Sequence, residues 1–144
     1  MAKLTVSGAE LVDAQLDRMG RTMIRQIVEA GAGAAEKRMA ENTQKAQHVR
    51  TGDMLKSIGT NEYREWLGGA SVDVYPQEND RRGVRNATKA YVINYGKGRR
   101  TTKRGTRNKT GDHFITGDES QTEKAVFDAM KAESDRLIGE LDNE

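Results

Sequence analysis

Apolar side chains recur from Val12 through Leu16, Met19, Met23, Ile27, Ala30 and Ala34, in steps of three and four that place them on one face of a long helix. Ahead of them, Lys3 to Val6 alternate polar and apolar. Ser7 and Glu10 then stand three apart, as in a capping box whose serine oxygen and glutamate carboxylate satisfy backbone amides at a helix start. The pattern predicts a helix from this box to about Thr43. Gly20, Gly31 and Gly33 fall inside it, each costing about 1 kcal/mol relative to alanine. The run Ala30 to Ala35 is therefore read as a place of close backbone approach.

Beyond a polar stretch, Asn42 to Arg50, Thr51 is placed to cap a short helical turn that carries Met54, Leu55 and Ile58 inward and ends at Gly59. Glu62 to Leu67 and Ala70 to Tyr75 contain β-formers separated by Gly68-Gly69, a pair suited to the positive φ angles of a tight turn, and predict a β-hairpin. In its second arm Val72 and Val74 alternate with Ser71, Asp73 and Tyr75, and Pro76, the sole proline, closes it. Ala90 to Tyr95 is an apolar run ended by Gly96, and periodicity allows either a strand or a short helix. From Lys97 to Asp112 no apolar residue occurs, which predicts a mobile loop with rapid amide exchange. After His113-Phe114-Ile115, the residues Thr116 to Ser120 offer N-caps. Val126, Ala129, Met130, Leu137, Ile138 and Leu141 then mark a terminal amphipathic helix to about residue 142. Glu140, Asp142 and Glu144 crowd the end of that helix, where the dipole prefers cations, so a basic partner would steady it. Together the elements predict an α+β fold: long N-terminal and C-terminal helices packed on a small antiparallel β-sheet. Residues 1–144 form a single domain, with 97–112 as a flexible basic loop within it.

Composition changes the picture in one respect. Only 35% of residues are hydrophobic and 5% aromatic against 32% charged, so part of the chain buries too little surface to offset its own ordering entropy. A partner, or a neighbouring copy, is the expected remedy. The chain has no cysteine, which excludes disulfides and thiolate chemistry. Met1 to Gly8 lacks the apolar core of a signal peptide, and no stretch is long and apolar enough to span a bilayer, so neither export by that route nor membrane insertion is expected.

Net charge is only +2, from 24 basic and 22 acidic residues, but its distribution is uneven. Lys97, Arg99, Arg100, Lys103, Arg104, Arg107 and Lys109 put seven positive charges in thirteen positions without one acid. Such a segment meets either an acidic protein surface or the phosphates of a polyanion, the latter with affinity that falls with salt. With no aromatic side chains interleaved for stacking, sequence-specific recognition is not expected. Trp66, Tyr91, Tyr95 and Phe114 are read as core packing.

Catalytic chemistry finds little footing. His48 and His113 are the only histidines, and the remaining metal ligands are scattered carboxylates. Gly31-Ala32-Gly33-Ala34-Ala35-Glu36 mimics the start of a dinucleotide fingerprint but lies inside a helical pattern rather than after a strand. Gly96-Lys97-Gly98 lacks the ending of a phosphate loop, and neither Ser57 nor Ser120 sits in a nucleophile elbow. Glu10, Asp13 and Asp17 read as the wet face of the first helix. No enzymatic activity, cofactor or metal is expected.

Taken in order, these pieces resemble the tail-completion, or head-to-tail joining, proteins of long-tailed bacteriophages. The likeness rests on the N-terminal amphipathic helix over residues 8 to 43 and on Thr51-Gly52-Asp53-Met54-Leu55-Lys56-Ser57-Ile58. It continues through the hairpin Glu62 to Tyr75, the Tyr-rich run Ala90 to Gly96, the basic loop from Lys97, the segment His113-Phe114-Ile115 and the last helix. His48 to Arg50 and Gly111 to His113 stand where that family often has proline, and Asn94 where it tends to carry an acid. The resemblance implies a non-enzymatic virion subunit made in the host bacterial cytoplasm. It would assemble as a homo-oligomeric ring, hexameric in kind, in the neck between head connector and tail tube. Its implied partners are the neighbouring connector, tail-terminator or tail-tube proteins, with the basic loop reaching one of them or facing DNA in the channel. Two alternatives stay open: a tail terminator, which would form a similar ring, and a small non-specific nucleic-acid-binding protein.

Overall fold

A computed structural model describes residues 10–46, 51–67, 69–102 and 104–143. The three-and-four periodicity becomes one continuous helix, α1, over Glu10–Lys45, about 54 Å long at 1.5 Å per residue. Ser7 of the expected capping box lies outside the described residues. The C-terminal pattern becomes α4, Glu119–Leu141, entered through a 3₁₀ turn at Thr116–Asp118. The two long helices run antiparallel, since Arg38 meets Asp118 at one end while Gly31 meets Met130 further along.

Gly31 explains the close approach that the alanine-glycine run led us to expect. It is buried, and a Cβ there would stand 2.7 Å from Met130 Cγ and 3.2 Å from Val126 Cγ1. At Gly20 and Gly33 nothing lies within 4 Å, so only one of the three glycines serves packing. Leu137 is the buried anchor of α4, while Ile138 and Leu141 of the expected apolar set are exposed.

Between the long helices comes α2, the single turn Asp53–Lys56, which buries Met54. Its N-cap is Gly52 with φ 73°, not Thr51, and it stops at Ser57 because Ile58 already belongs to the first strand. That strand, β1 (Ile58–Thr60), is followed by β2 (Arg64–Trp66), β3 (Gly69–Ser71) and β4 (Val74–Pro76). β1 pairs with β4 and β2 with β3, both antiparallel, giving one long hairpin interrupted where Asn61–Tyr63 opposes Val72 and Asp73. The interruption is bridged by side chains. Asp73 N donates to Asn61 Oδ1 at 2.7 Å, Asn61 Nδ2 donates to Asp73 Oδ2 at 2.9 Å, and Asn61 N reaches the Asp73 carbonyl at 3.0 Å. The tip differs by one position from the expected Gly68-Gly69 turn. Trp66 pairs with Gly69, so positions 67 and 68 make the link, and residue 68 itself lies outside the described residues. The Trp66 ring covers Gly69, where a Cβ would come within 2.8 Å of it.

The ambiguous run before Gly96 is a helix, α3 (Asn86–Tyr95), because its buried face is not the apolar one. Asn86, Ala90 and Asn94, spaced by four, point inward, while Tyr91 and Tyr95 face solvent. The segment expected as a loop from Lys97 is instead a second hairpin, β5 (Gly96–Thr102) and β6 (Gly105–Thr110), in antiparallel register. Its lack of apolar residues hid it. The β-branched threonines 101, 102, 106 and 110, together with Gly105 at φ 114° beside the turn, meet the needs of a tight hairpin without any apolar residue.

The core is small: Met54, Ala90 and Phe114 are buried together, with Ala46, Ile93 and Ile115 packed against them. The α1–α4 contact at Gly31 yields an expected outcome in paired variants. Gly33→Ala, in open space, gains helix propensity and raises stability by about 0.5–1 kcal/mol, whereas Gly31→Val forces α4 outward and lowers it. Urea-denaturation midpoints of the two variants, read against the parent, measure both signs.

Candidate interaction surface

Asn94 ties the middle of the chain together. At 1% exposure its Oδ1 accepts the amides of Ile115 at 3.0 Å and Thr116 at 3.2 Å, and its Nδ2 donates to Thr116 Oγ1 at 3.3 Å. Its own carbonyl accepts His113 N at 3.1 Å, next to the Asp112 N to Ile93 carbonyl bond of the same length. The strand end at Gly111 runs against this carbonyl so closely that a Cβ there would lie 2.0 Å from Asn94 O. One buried side chain thereby sets where β6 ends and where α4 begins. Asn94→Leu orphans two amides and is expected to cost at least about 2 kcal/mol. Gly111→Ala, which must move backbone rather than a side chain, is expected to cost more. Thermal unfolding by circular dichroism checks the ranking, and a tolerated Gly111→Ala would refute the close approach.

A second polar joint holds α3 to the end of the first hairpin. Asn86, also 1% exposed, donates through Nδ2 to the Gln77 carbonyl at 3.1 Å, and its backbone amide reaches the Glu78 carbonyl at 3.1 Å. Just beyond, Asp80 Oδ1 accepts the amides of Arg82 and Val84, each at 2.8 Å, and its Oδ2 accepts Lys89 Nζ. The Lys89 hydrogen bond, followed by the Val84 amide, pulls the Asp80 carboxyl down to about 2. A carboxyl lowered in the folded state contributes stability that is complete above the ordinary value of 3.8 and fades as pH falls through about 2. Asp80→Asn is therefore expected to flatten the fall in stability between about pH 4 and 2, seen in urea midpoints across that window. An acid limb as steep as that of the parent would contradict the role of this carboxylate.

A third joint closes the helix pair. Asp118 accepts Asn42 Nδ2 at 3.0 Å and Arg38 Nη2, which also donates to Gln121 Oε1 at 3.1 Å. The Asn42 bond, helped by Arg38, holds the Asp118 carboxyl below its usual range.

An open cleft of about 590 Å³ lies between α2 and the 80–84 turn, lined in part by Asp53, Met54, Asp80, Arg81 and Lys89. Both of its carboxylates are engaged, Asp53 by Arg81 at 3.3 Å and Asp80 by Lys89. Among the described residues no group of three or more His, Asp or Glu could hold a metal ion, and no helix is long and apolar enough to cross a membrane.

What the surface does present is aromatic and charged. All seven aromatic residues are described, and Phe114 alone is buried; Trp66, Tyr75, Tyr91, Tyr95 and Phe127 are exposed and Tyr63 is half-buried. The core placement expected for Trp66, Tyr91 and Tyr95 is thus corrected. Tyr91 and Tyr95 pack with ring centroids 4.8 Å apart and planes tilted by 47°, and His113 meets Tyr95 edge-on at 6.4 Å. This aromatic pair leads directly into the basic hairpin. Lys97, Arg99 and Arg100 occupy β5, Arg107 and Lys109 occupy β6, and Arg104 is exposed at the turn; Lys103 lies outside the described residues. Arg100 pairs with Arg107 across the ladder, and Gly98 with Lys109, so the charges share one ribbon. The charge cluster was legible in the sequence, whereas its frame was not. The exposed tyrosines were hidden because only the helical phase of α3 separates them from Ala90 and Asn94.

Comparison with protein-family models, with curated proteins and with solved structures returned no match.

Proposed function

We propose that the chain is a structural subunit that completes its fold by assembling with further copies of itself. The observation that carries this reading is the inverted distribution of its side chains. Among the described residues Asn86, Asn94 and Thr43 are the most deeply buried, while Trp66, Leu67, Tyr91, Tyr95 and Phe127 stand in solvent. Isolated surface apolar residues are ordinary, but five of seven aromatics outside and a six-residue apolar cluster inside are not. Tyr, Trp and Arg are also the residues that dominate binding energy at protein interfaces.

More particularly, we read it as a tail-completion subunit in the neck of a long-tailed bacteriophage, a ring joining the tail tube to the head connector. This rests on the order of its segments and their resemblance to that family. The long helix, Thr-Gly element, hairpin, Tyr-Gly pair, basic segment and terminal helix follow one another as the family's do. A closed ring gives each subunit two neighbours, which suits a chain with a small core and much exposed apolar surface.

One observation favours a second reading, contact with DNA. The basic segment is a two-stranded antiparallel ribbon, and such a ribbon fits the major groove of a duplex. Absolute mass by light scattering over a concentration series, with negative-stain images, separates the two. Closed rings with a central opening are expected. A strict monomer whose affinity for duplex DNA falls steeply with salt would favour the nucleic-acid reading instead.

A further inference from the structure

Resting on the assembly reading, we infer that the contact between copies is head-to-tail, with the β5–β6 hairpin of one subunit seated on the outward flank of α4 of the next. The two surfaces are complementary in charge. Residues 97 to 111 carry seven basic residues and no acid, whereas Glu119 to Asp142 carries seven acidic residues against three basic. The acids are also aligned. Asp128, Asp135 and Asp142 recur every seventh position, all exposed, and so lie along one side of the helix.

They are complementary in polarity too. Beside that acidic row stand Phe127, 65% exposed, and Ile138, 49% exposed, eleven residues apart and nearly in phase on the helix. On the other surface, Tyr91 and Tyr95 project at the root of the basic hairpin. Duplex DNA would satisfy the arginines and lysines but offers these tyrosines little apolar counterface. The α4 flank offers both an acidic row and an apolar one. Within one chain the hairpin continues from α3 and packs against it, while the described flank of α4 faces away from α1, whose contact is made through Val126, Met130 and Leu137. The two surfaces are different patches, so their contact is heterologous and propagates from copy to copy until it closes.

The absence of cysteine makes the contact directly readable. Two single-cysteine variants, Thr102→Cys in the hairpin and Lys131→Cys on the α4 flank, are distinguished by a tag, mixed, and treated with a short bismaleimide. The cross-linked heterodimer is expected at least fivefold above the homodimer of either variant alone. Adding Arg99→Glu, Arg100→Glu and Arg107→Glu to the hairpin partner is expected to reduce it at least tenfold. Asp128→Lys, Asp135→Lys and Asp142→Lys in the other partner should restore it. Equal homodimer and heterodimer yields would overturn the head-to-tail geometry. If the parent protein forms rings yet this cross-link is absent, the contact is wrong and the assembly reading stands. If the parent is monomeric by light scattering but the charge-dependent cross-link forms, the contact stands and the closed ring falls. Absence of both overturns both. A triple-Glu hairpin that cross-links normally but no longer binds duplex DNA would assign the hairpin to DNA and overturn the proposal.

Discussion

The amide and carbonyl of one buried asparagine decide how the two halves of this protein meet. Asn94, in the last turn of α3, accepts the first amides of the segment that becomes α4, and receives the end of β6 against its own backbone. A leucine of similar size would fill the space but leave Ile115 N and Thr116 N without acceptors, and orphaned buried amides cost more than the packing returns. Because three elements converge on it, the direction in which the basic hairpin leaves the body and the point at which α4 starts are coupled.

That coupling follows from a shortage of apolar residues. With Met54, Ala90 and Phe114 as the buried cluster, hydrophobic burial alone cannot specify the packing of four helices and two hairpins. Directional bonds take over at the joints: Asn94 below α4, Asn86 between α3 and the Gln77–Glu78 segment, Asp118 with Arg38 and Asn42 between the long helices. Side-chain amides suit this task because they are uncharged and carry both donor and acceptor, so they can be buried without the desolvation cost of an ion. The same economy leaves Tyr91, Tyr95, Trp66 and Phe127 outside, available to a neighbour.

The long helices were legible because their periodicity extends over many turns. The close approach at Gly31 was legible because glycine in a helix interior calls for a reason. The first hairpin was visible in its alternation but misplaced by one residue at its tip, since two adjacent glycines leave the turn position open while the Trp66 ring over Gly69 decides it. α3 was ambiguous because two of its three inward positions are asparagine, which no hydrophobic pattern reports. The basic segment was misread as a loop for the converse reason: a two-stranded ribbon without apolar residues leaves no alternation of polarity, and only its threonines and Gly105 hint at strands. Of the candidate site, the seven charges were plain in the sequence. The exposed tyrosines beside them and the acidic row on α4 emerge only when helical phase and burial are known.

Stability should be graded along the molecule in a way that fits its proposed use. The ion pairs near the tips are exposed, such as Arg21 with Glu65 at 3.8 Å and Arg25 with Glu29 at 2.9 Å, and exposed pairs contribute little in water. The tip of the first hairpin meets α1 through that Arg21 pair and through Arg25 lying 5.4 Å from the Tyr63 ring centroid, while Trp66 and Leu67 remain exposed at the end. The second hairpin is a two-stranded ribbon that follows directly on α3, and such ribbons are marginal alone. The buried joints at Asn86 and Asn94 and the half-buried one at Asp118 lie in the middle, where the chain is self-sufficient. A subunit built with a firm centre and under-supported arms gains order where it touches a neighbour, so the free energy of assembly is drawn from the segments that the isolated chain stabilises least.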